Sequence, residues 1–194
     1  MKCKEILQGT NADRKYYKMK DDGRSGLRFS APICIIGGYM NINTYELVLD
    51  NNTKHGSLRL KESLPYKEEY LSEPLKIAEM VKEIFHVDEM ADEFAYMIAF
   101  NNRMKVLGVF EIGHGTGNAC ILDARGIFMR AVYTGASYVV LVHSHPSEDT
   151  SPSRQDREIT AKIHDAGELI GIPLIDHIIV GGKGYMSFHE TGLL

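Results

Sequence analysis

Residues 138–142 read Tyr-Val-Val-Leu-Val, an unbroken apolar run dominated by β-branched valine. Valine's restricted χ1 favours extended backbone. An apolar run without alternation marks a strand buried on both faces. Such a strand needs one layer of structure above it and another below. That requirement confines the chain to a layered α/β or α+β domain.

The flanking sequence supplies the layers. Ile77, Met80, Val81, Ile84 and Phe85 recur at helical spacing and predict an amphipathic helix over 72–86, with Ser72 as N-cap and Pro74 in the first turn. A second helix is predicted over 124–137. A third is predicted over 154–170, with Ile159, Ile163, Ala166 and Ile170 on one face. Strands are expected at 94–100 and 106–112, joined by a turn at Asn101-Asn102-Arg103, and at 176–180 and 185–188 around the glycines of 181–184. Upstream, Pro32–Ile36, Tyr45–Leu49 and Ser57–Leu60 read as short strands separated by turn chemistry. The expected organisation is an arm over 1–25, a β-rich extension over 26–67, and an α/β domain over 68–194 whose mixed β-sheet is flanked by helices.

Charge narrows the function classes. The 194 residues hold 22 Lys and Arg against 26 Asp and Glu, a formal net charge of −4. That balance argues against a strongly basic nucleic-acid binder, because phosphate binding needs clustered cations. The first thirty residues run the other way, with eight basic residues (Lys2, Lys4, Arg14, Lys15, Lys18, Lys20, Arg24, Arg28) against four acids. This stretch reads as a solvated arm, and it is the one place where nucleic acid or an acidic partner would be met; the domain itself is not expected to bind nucleic acid. No run approaches the ~18 apolar residues of a membrane span, and the N-terminus lacks the apolar core of a secretory signal. Cys3, Cys34 and Cys120 form no CxxC pair. They give no support to a disulfide framework or a thiolate zinc site, and reduced thiols in a cytoplasmic protein are the expectation. Nothing in the sequence opposes homo-oligomerisation.

The chemistry follows the buried strand. His143 and His145 stand at i and i+2 on an extended segment, so they project to the same side. Ser153 occupies an N-cap position with Asp156 three residues on, a pattern close to a capping box. The intervening loop can therefore fold back and deliver a carboxylate to two imidazoles. Two His and one Asp with an open fourth position match a catalytic zinc site by ligand type and count. Softer metals favour thiolates, and Mg²⁺ or Ca²⁺ needs more oxygens. A water activated there needs a base, and Glu111, ending the strand-like VLGVFE, is the candidate. The adjacent Gly113-His114-Gly115-Thr116-Gly117 lacks a P-loop lysine and is not read as a nucleotide cradle.

Glu111, His143, His145, Ser153 and Asp156 together resemble the JAMM signature, Glu…His-x-His-x7-Ser-x2-Asp, of JAB/MPN metalloproteases. Within that superfamily the chain most resembles RadC-like proteins. The matching segments are Gly115-Thr116, Asn118, Arg125, HSHPSEDTSPSRQD, Asp176-His177-Ile178-Ile179 and Tyr185-Met186-Ser187-Phe188, across about residues 70–194. RadC-like proteins usually read HNHPSGD, so Ser144 and Glu148 depart from the pattern. The resemblance implies a layered fold similar to cytidine deaminases, and one Zn²⁺ held by His143, His145 and Asp156. It implies hydrolysis of a peptide or isopeptide bond in a protein or peptide substrate, with Glu111 as acid–base group and Ser153 donating to the oxyanion. Asp176 and His177 are candidates for supporting the ligands.

Two other readings compete. One is a DNA-associated accessory protein of the RadC type whose metal site is structural. The helix-hairpin-helix region that commonly precedes the domain in RadC proteins is not visible in residues 1–65, and the intact ligand set argues against decay of the site. The other is a scaffold that uses the domain as an interaction surface.

Overall fold

In the computed structural model the described residues are 40–68, 70–115, 122–182 and 184–194. The arm over 1–25, the Pro32–Ile36 strand, Thr116, Gly117, Asn118 and all three cysteines lie outside them. Seven strands and three helices run in the order β1 (Met40–Leu49), β2 (Gly56–Tyr66), α1 (Pro74–Phe85), β3 (Glu93–Phe100), β4 (Val106–Gly115), α2 (Ala124–Thr134), β5 (Tyr138–Ser144), α3 (Arg154–Ile170), β6 (Leu174–Val180) and β7 (Tyr185–Ser187) among the described residues. The strands form one mixed sheet in the order β2-β1-β4-β3-β5-β6-β7.

The apolar run of β5 lies near the middle of this sheet, between β3 and β6. Its side chains alternate between two cores. Val140 and Val142 join Tyr96, Ile98 and Phe100 of β3 and the apolar face of α1. Leu141 and Val139 join Met97 and Ala99 of β3, with Ile127, Phe128 and Ala131 of α2 and Ile163 of α3. One helix covers one face and two cover the other, which is the layering that the run demands.

Helix ends follow local chemistry. Ser72 is not the N-cap of α1: the cap is Glu73, in extended conformation and without a side-chain cap bond. The proline at N1 explains this, because the residue before a proline is pushed out of the α region. Helix α2 stops at Thr134, three residues short of the expectation, because Gly135 takes φ 66° and closes the end. Helix α3 has the expected span.

The upstream strands are longer than their apolar cores suggest and belong to the same sheet. β1 pairs antiparallel with β2 along its length and meets β4 in parallel at Thr44–Val109. β2 is an edge strand, so Pro65 costs no interior ladder bond. No helix among the described residues is long and apolar enough to cross a membrane.

Candidate metal centre

Strand β5 continues past its apolar run and carries His143 and Ser144 within the ladder. Alternation sets the direction of His143. Val142 faces α1, so His143 faces α2 and α3. His145 lies one step beyond the strand end, anchored by its N–H to the Val180 carbonyl at 2.8 Å. The chain then turns through Pro146–Pro152 into α3. There Ser153 Oγ accepts the Asp156 N–H at 3.1 Å, and Asp156 Oδ2 accepts the Ser153 N–H at 2.7 Å. This reciprocal capping box fixes the first turn and aims the Asp156 carboxylate at the imidazoles.

Three candidate ligand residues converge as a result. His143 Nε2 and His145 Nε2 are 2.8 Å apart. Asp156 Oδ1 lies 3.3 Å from His143 Nε2, and Oδ2 lies 3.7 Å from His145 Nε2. Ligand atoms about 2.0–2.1 Å from a tetrahedral ion stand roughly 3.3–3.4 Å from one another, and these contacts bracket that separation. The group could hold a metal ion. Its electrostatics agree. Burial pushes the Asp156 carboxyl up, but the two imidazoles and the Ser153 side chain outweigh it and hold the group well below the usual carboxylate range. His145 is raised, first by the Asp156 carboxylate beside it and against the opposing effect of burial; the Asp149 carbonyl and the charge of Glu93 add to it.

Glu111 stands apart from this cluster. It pairs with Tyr96, and the ladder then skips Ile112 as a bulge before Ala95 meets Gly113. Tyr96 belongs to the core on the α1 side. Cross-strand partners share a face, so Glu111 lies on the opposite side of the sheet from His143, exposed to solvent. The Tyr96 hydroxyl registers that proximity: burial, aided by the Glu111 charge, pushes its pKa up to about 12.

Glu93 occupies the place that Glu111 does not. The β3–β5 ladder is continuous from Phe100–Tyr138 to Ala95–His143. Glu93 is in phase with Ala95 and Met97, hence on the His143 face, and two further residues along each chain set it opposite His145. The cross-strand bond from the Phe94 N–H to Ser144 Oγ, 3.0 Å, ties this end of β3 to the histidine segment. Ser153 is close to the centre through its cap, and its hydroxyl accepts from Asp156 while keeping a proton to donate.

A buried row of polar side chains stands behind His143. His143 Nδ1 meets His177 Nε2 at 2.8 Å, and His177 Nδ1 meets Thr160 Oγ1 at 2.6 Å. His177 is fully buried on β6 and stacks on Phe188 with centroids 5.0 Å apart. Burial holds its pKa well below the ordinary imidazole value. Asp176 serves the neighbouring structure. Its carboxylate accepts the His177 and His189 N–H groups at 2.8 and 3.0 Å and the Ser187 hydroxyl at 2.7 Å, pinning β6 to β7 and the turn after it.

Residues 71–193 match the RadC-like JAB domain. The chain belongs to the RadC-like JAB domain family. The mixed sheet with helices on both faces is the fold of this JAB domain. The chain is similar to a UPF0758 protein of Thermotoga maritima, 35% identical over 136 residues that make up 70% of this chain and 60% of that protein. A UPF0758 protein of Symbiobacterium thermophilum is 43% identical over 99 residues, 51% of this chain and 42% of the relative. One from Trichlorobacter lovleyi is 38% identical over 117 residues, 59% and 50% of the two chains. The JAB domain chain thus spans about half the length of the curated relatives it matches.

Proposed function

We propose that this RadC-like JAB domain is a zinc-dependent hydrolase of peptide or isopeptide bonds. One observation carries the reading: two imidazole Nε2 atoms and a carboxylate converge at the C-terminal end of the inner strand β5, with a second carboxylate, Glu93, on the same face. Two nitrogens and one oxygen suit zinc, whereas Mg²⁺ and Ca²⁺ require more oxygen ligands. A zinc ion held by His143, His145 and Asp156 would supply Lewis acidity and lower the pKa of water from about 15.7 to ~7.

The protein's own groups supply the rest. Glu93 accepts the proton of the attacking water and returns it to the leaving amine, a contribution of roughly 10²–10⁴-fold. It replaces Glu111 in that role because it shares the His143 face. The Ser153 hydroxyl, already accepting from the Asp156 amide, donates its own proton to the developing oxyanion. Loss of such a donor costs about 2.7–4 kcal/mol.

Metal analysis of the purified chain tests the first half of the reading, with about one zinc per chain expected. Hydrolysis of fluorescently labelled casein and of a peptide carrying a lysine ε-amide tests the second. Glu93→Gln should keep the zinc and lose at least ~10²-fold in rate, while Glu111→Gln should leave both unchanged. A chain purified without zinc, and unable to bind it, ends the metal reading. Loss of activity in Glu111→Gln but not in Glu93→Gln reverses the assignment of the acid–base group.

A further inference from the structure

Hydrogen bonds run from each of the two rings to a backbone carbonyl, directly from His145 and through His177 and Thr160 from His143, and a carbonyl can only accept. His145 Nδ1 lies 2.7 Å from the Asp149 carbonyl oxygen, so Nδ1 carries the proton and Nε2 presents a lone pair. On the other side the row is longer. Thr160 Oγ1 donates its only proton to the Asp156 carbonyl at 2.5 Å. Toward His177 it can therefore only accept, which makes His177 Nδ1 the donor at 2.6 Å. A neutral imidazole has one N–H, so His177 Nε2 accepts, and the donor across the 2.8 Å contact is His143 Nδ1. His143 is left with Nε2 unprotonated and facing His145 Nε2.

From this directionality we propose that Thr160 and His177 are positioning residues for the metal centre. They form a buried relay that holds His143 in the single tautomer able to ligate through Nε2. The inference deepens the metal reading above and rests on it for its purpose, though not for its geometry. The relay starts where α3 starts: the backbone carbonyl of Asp156 terminates it, while the Asp156 carboxylate is itself a ligand. One residue therefore supplies one ligand and, through Thr160 and His177, sets the protonation of another. Both members are well placed for a fixed geometry. Thr160 is 2% exposed and one helical turn beyond Asp156, and His177 is held between the His143 and Phe188 rings.

Two measurements on the full chain test the proposal. Nitrogen-15 NMR of the histidine rings in zinc-free protein should show His177 as the neutral Nδ1–H tautomer. Finding His177 as Nε2–H, or charged, overturns the relay whatever the metal does. Zinc affinity, read by competition with a chromophoric chelator, should weaken about 10–100-fold in Thr160→Val. His177→Phe, which keeps the stack on Phe188, should show the same loss. Thr160→Ser, which restores the hydroxyl, should return to within a few-fold of the unaltered chain. Unchanged zinc affinity in both Thr160→Val and His177→Phe also overturns it. If the unaltered chain binds no zinc, the zinc reading fails, and the NMR arm still decides the relay.

Discussion

The Nε2 atoms of His143 and His145 face each other at 2.8 Å, and each ring has its other nitrogen turned to a fixed partner, His177 or the Asp149 carbonyl. Two lone pairs and the Asp156 carboxylate converge there and repel one another until a cation enters. A proton can serve, and so can a metal, and the two compete.

Zinc should therefore stabilise the fold strongly and in a pH-dependent way. Ligand bound at a hundred times its Kd contributes about 2.7 kcal/mol. For a domain of this size that corresponds to a rise in Tm of roughly 5–10 °C. Scanning fluorimetry with zinc and with a chelator should show the full rise near pH 8 and a much smaller one near pH 5.5, because metal binding must displace the proton that the Asp156 carboxylate favours on His145. His145→Ala should abolish the rise while leaving the zinc-free Tm within a few degrees, because His145 lies beyond the β5 ladder.

Asp176 offers a separate test of the scaffold. Its carboxylate accepts three hydrogen bonds. Asp176→Ala strands those donors in a buried place and should cost about 2–4 kcal/mol in urea unfolding. Asp176→Asn keeps an oxygen for the two amides and should cost much less.

The same residue has a pH signature. Burial, only partly offset by its hydrogen bonds, raises the Asp176 pKa above 3.8. The folded state then binds this proton more tightly than the unfolded state, so the group's contribution to stability falls as pH rises through the window above 3.8. Asp176→Asn lacks that titration. Its stability relative to the unaltered chain should improve from pH 4 toward neutrality, and a difference that stays flat over this range would remove burial as the cause.

Gly167 lies inside α3, where helix propensity alone favours alanine by up to about 1 kcal/mol. A Cβ there would sit 2.8 Å from the Ile172 carbonyl oxygen and 3.1 Å from the Leu174 amide. Both obstacles are backbone and cannot swing aside. Gly167→Ala should therefore destabilise by roughly 1–3 kcal/mol, whereas Gly184→Ala, which meets nothing within 4 Å, should be close to neutral. Chemical denaturation of the two variants reads the contrast.

The cluster of His143, His145 and Asp156 was legible because each of its parts is local. An i, i+2 pair on a strand shares a face, and a Ser with an Asp three residues on starts a helix; neither statement needs a distant residue. The SPSRQD segment carried both the capping box and the carboxylate. Which carboxylate shares the His143 face was not legible in this way. Glu93 and Glu111 both flank apolar strand segments, and each is a plausible strand-end carboxylate on its own. The period-two alternation of Glu93, Ala95, Met97 and Ala99 was readable, but which face it joined was not. Thr160 left only the weak signal of a polar residue within a helix, and His177 that of a histidine in an apolar strand.

Sequence alone thus determined the layered fold, through the need to cover Tyr138–Val142 on both faces, and the convergence of His143, His145 and Asp156 into a group that could hold a metal ion, through short-range periodicity. Tertiary structure alone decided which carboxylate shares their face, and that of the two supporting candidates His177, with Thr160 behind it, meets His143 while Asp176 does not. Those choices depend on strand register between β3, β4 and β5 and on the bulge at Ile112. A slip of one residue moves a side chain to the opposite face of a sheet. Register is set by the packing of whole layers, which no segment of the chain encodes by itself.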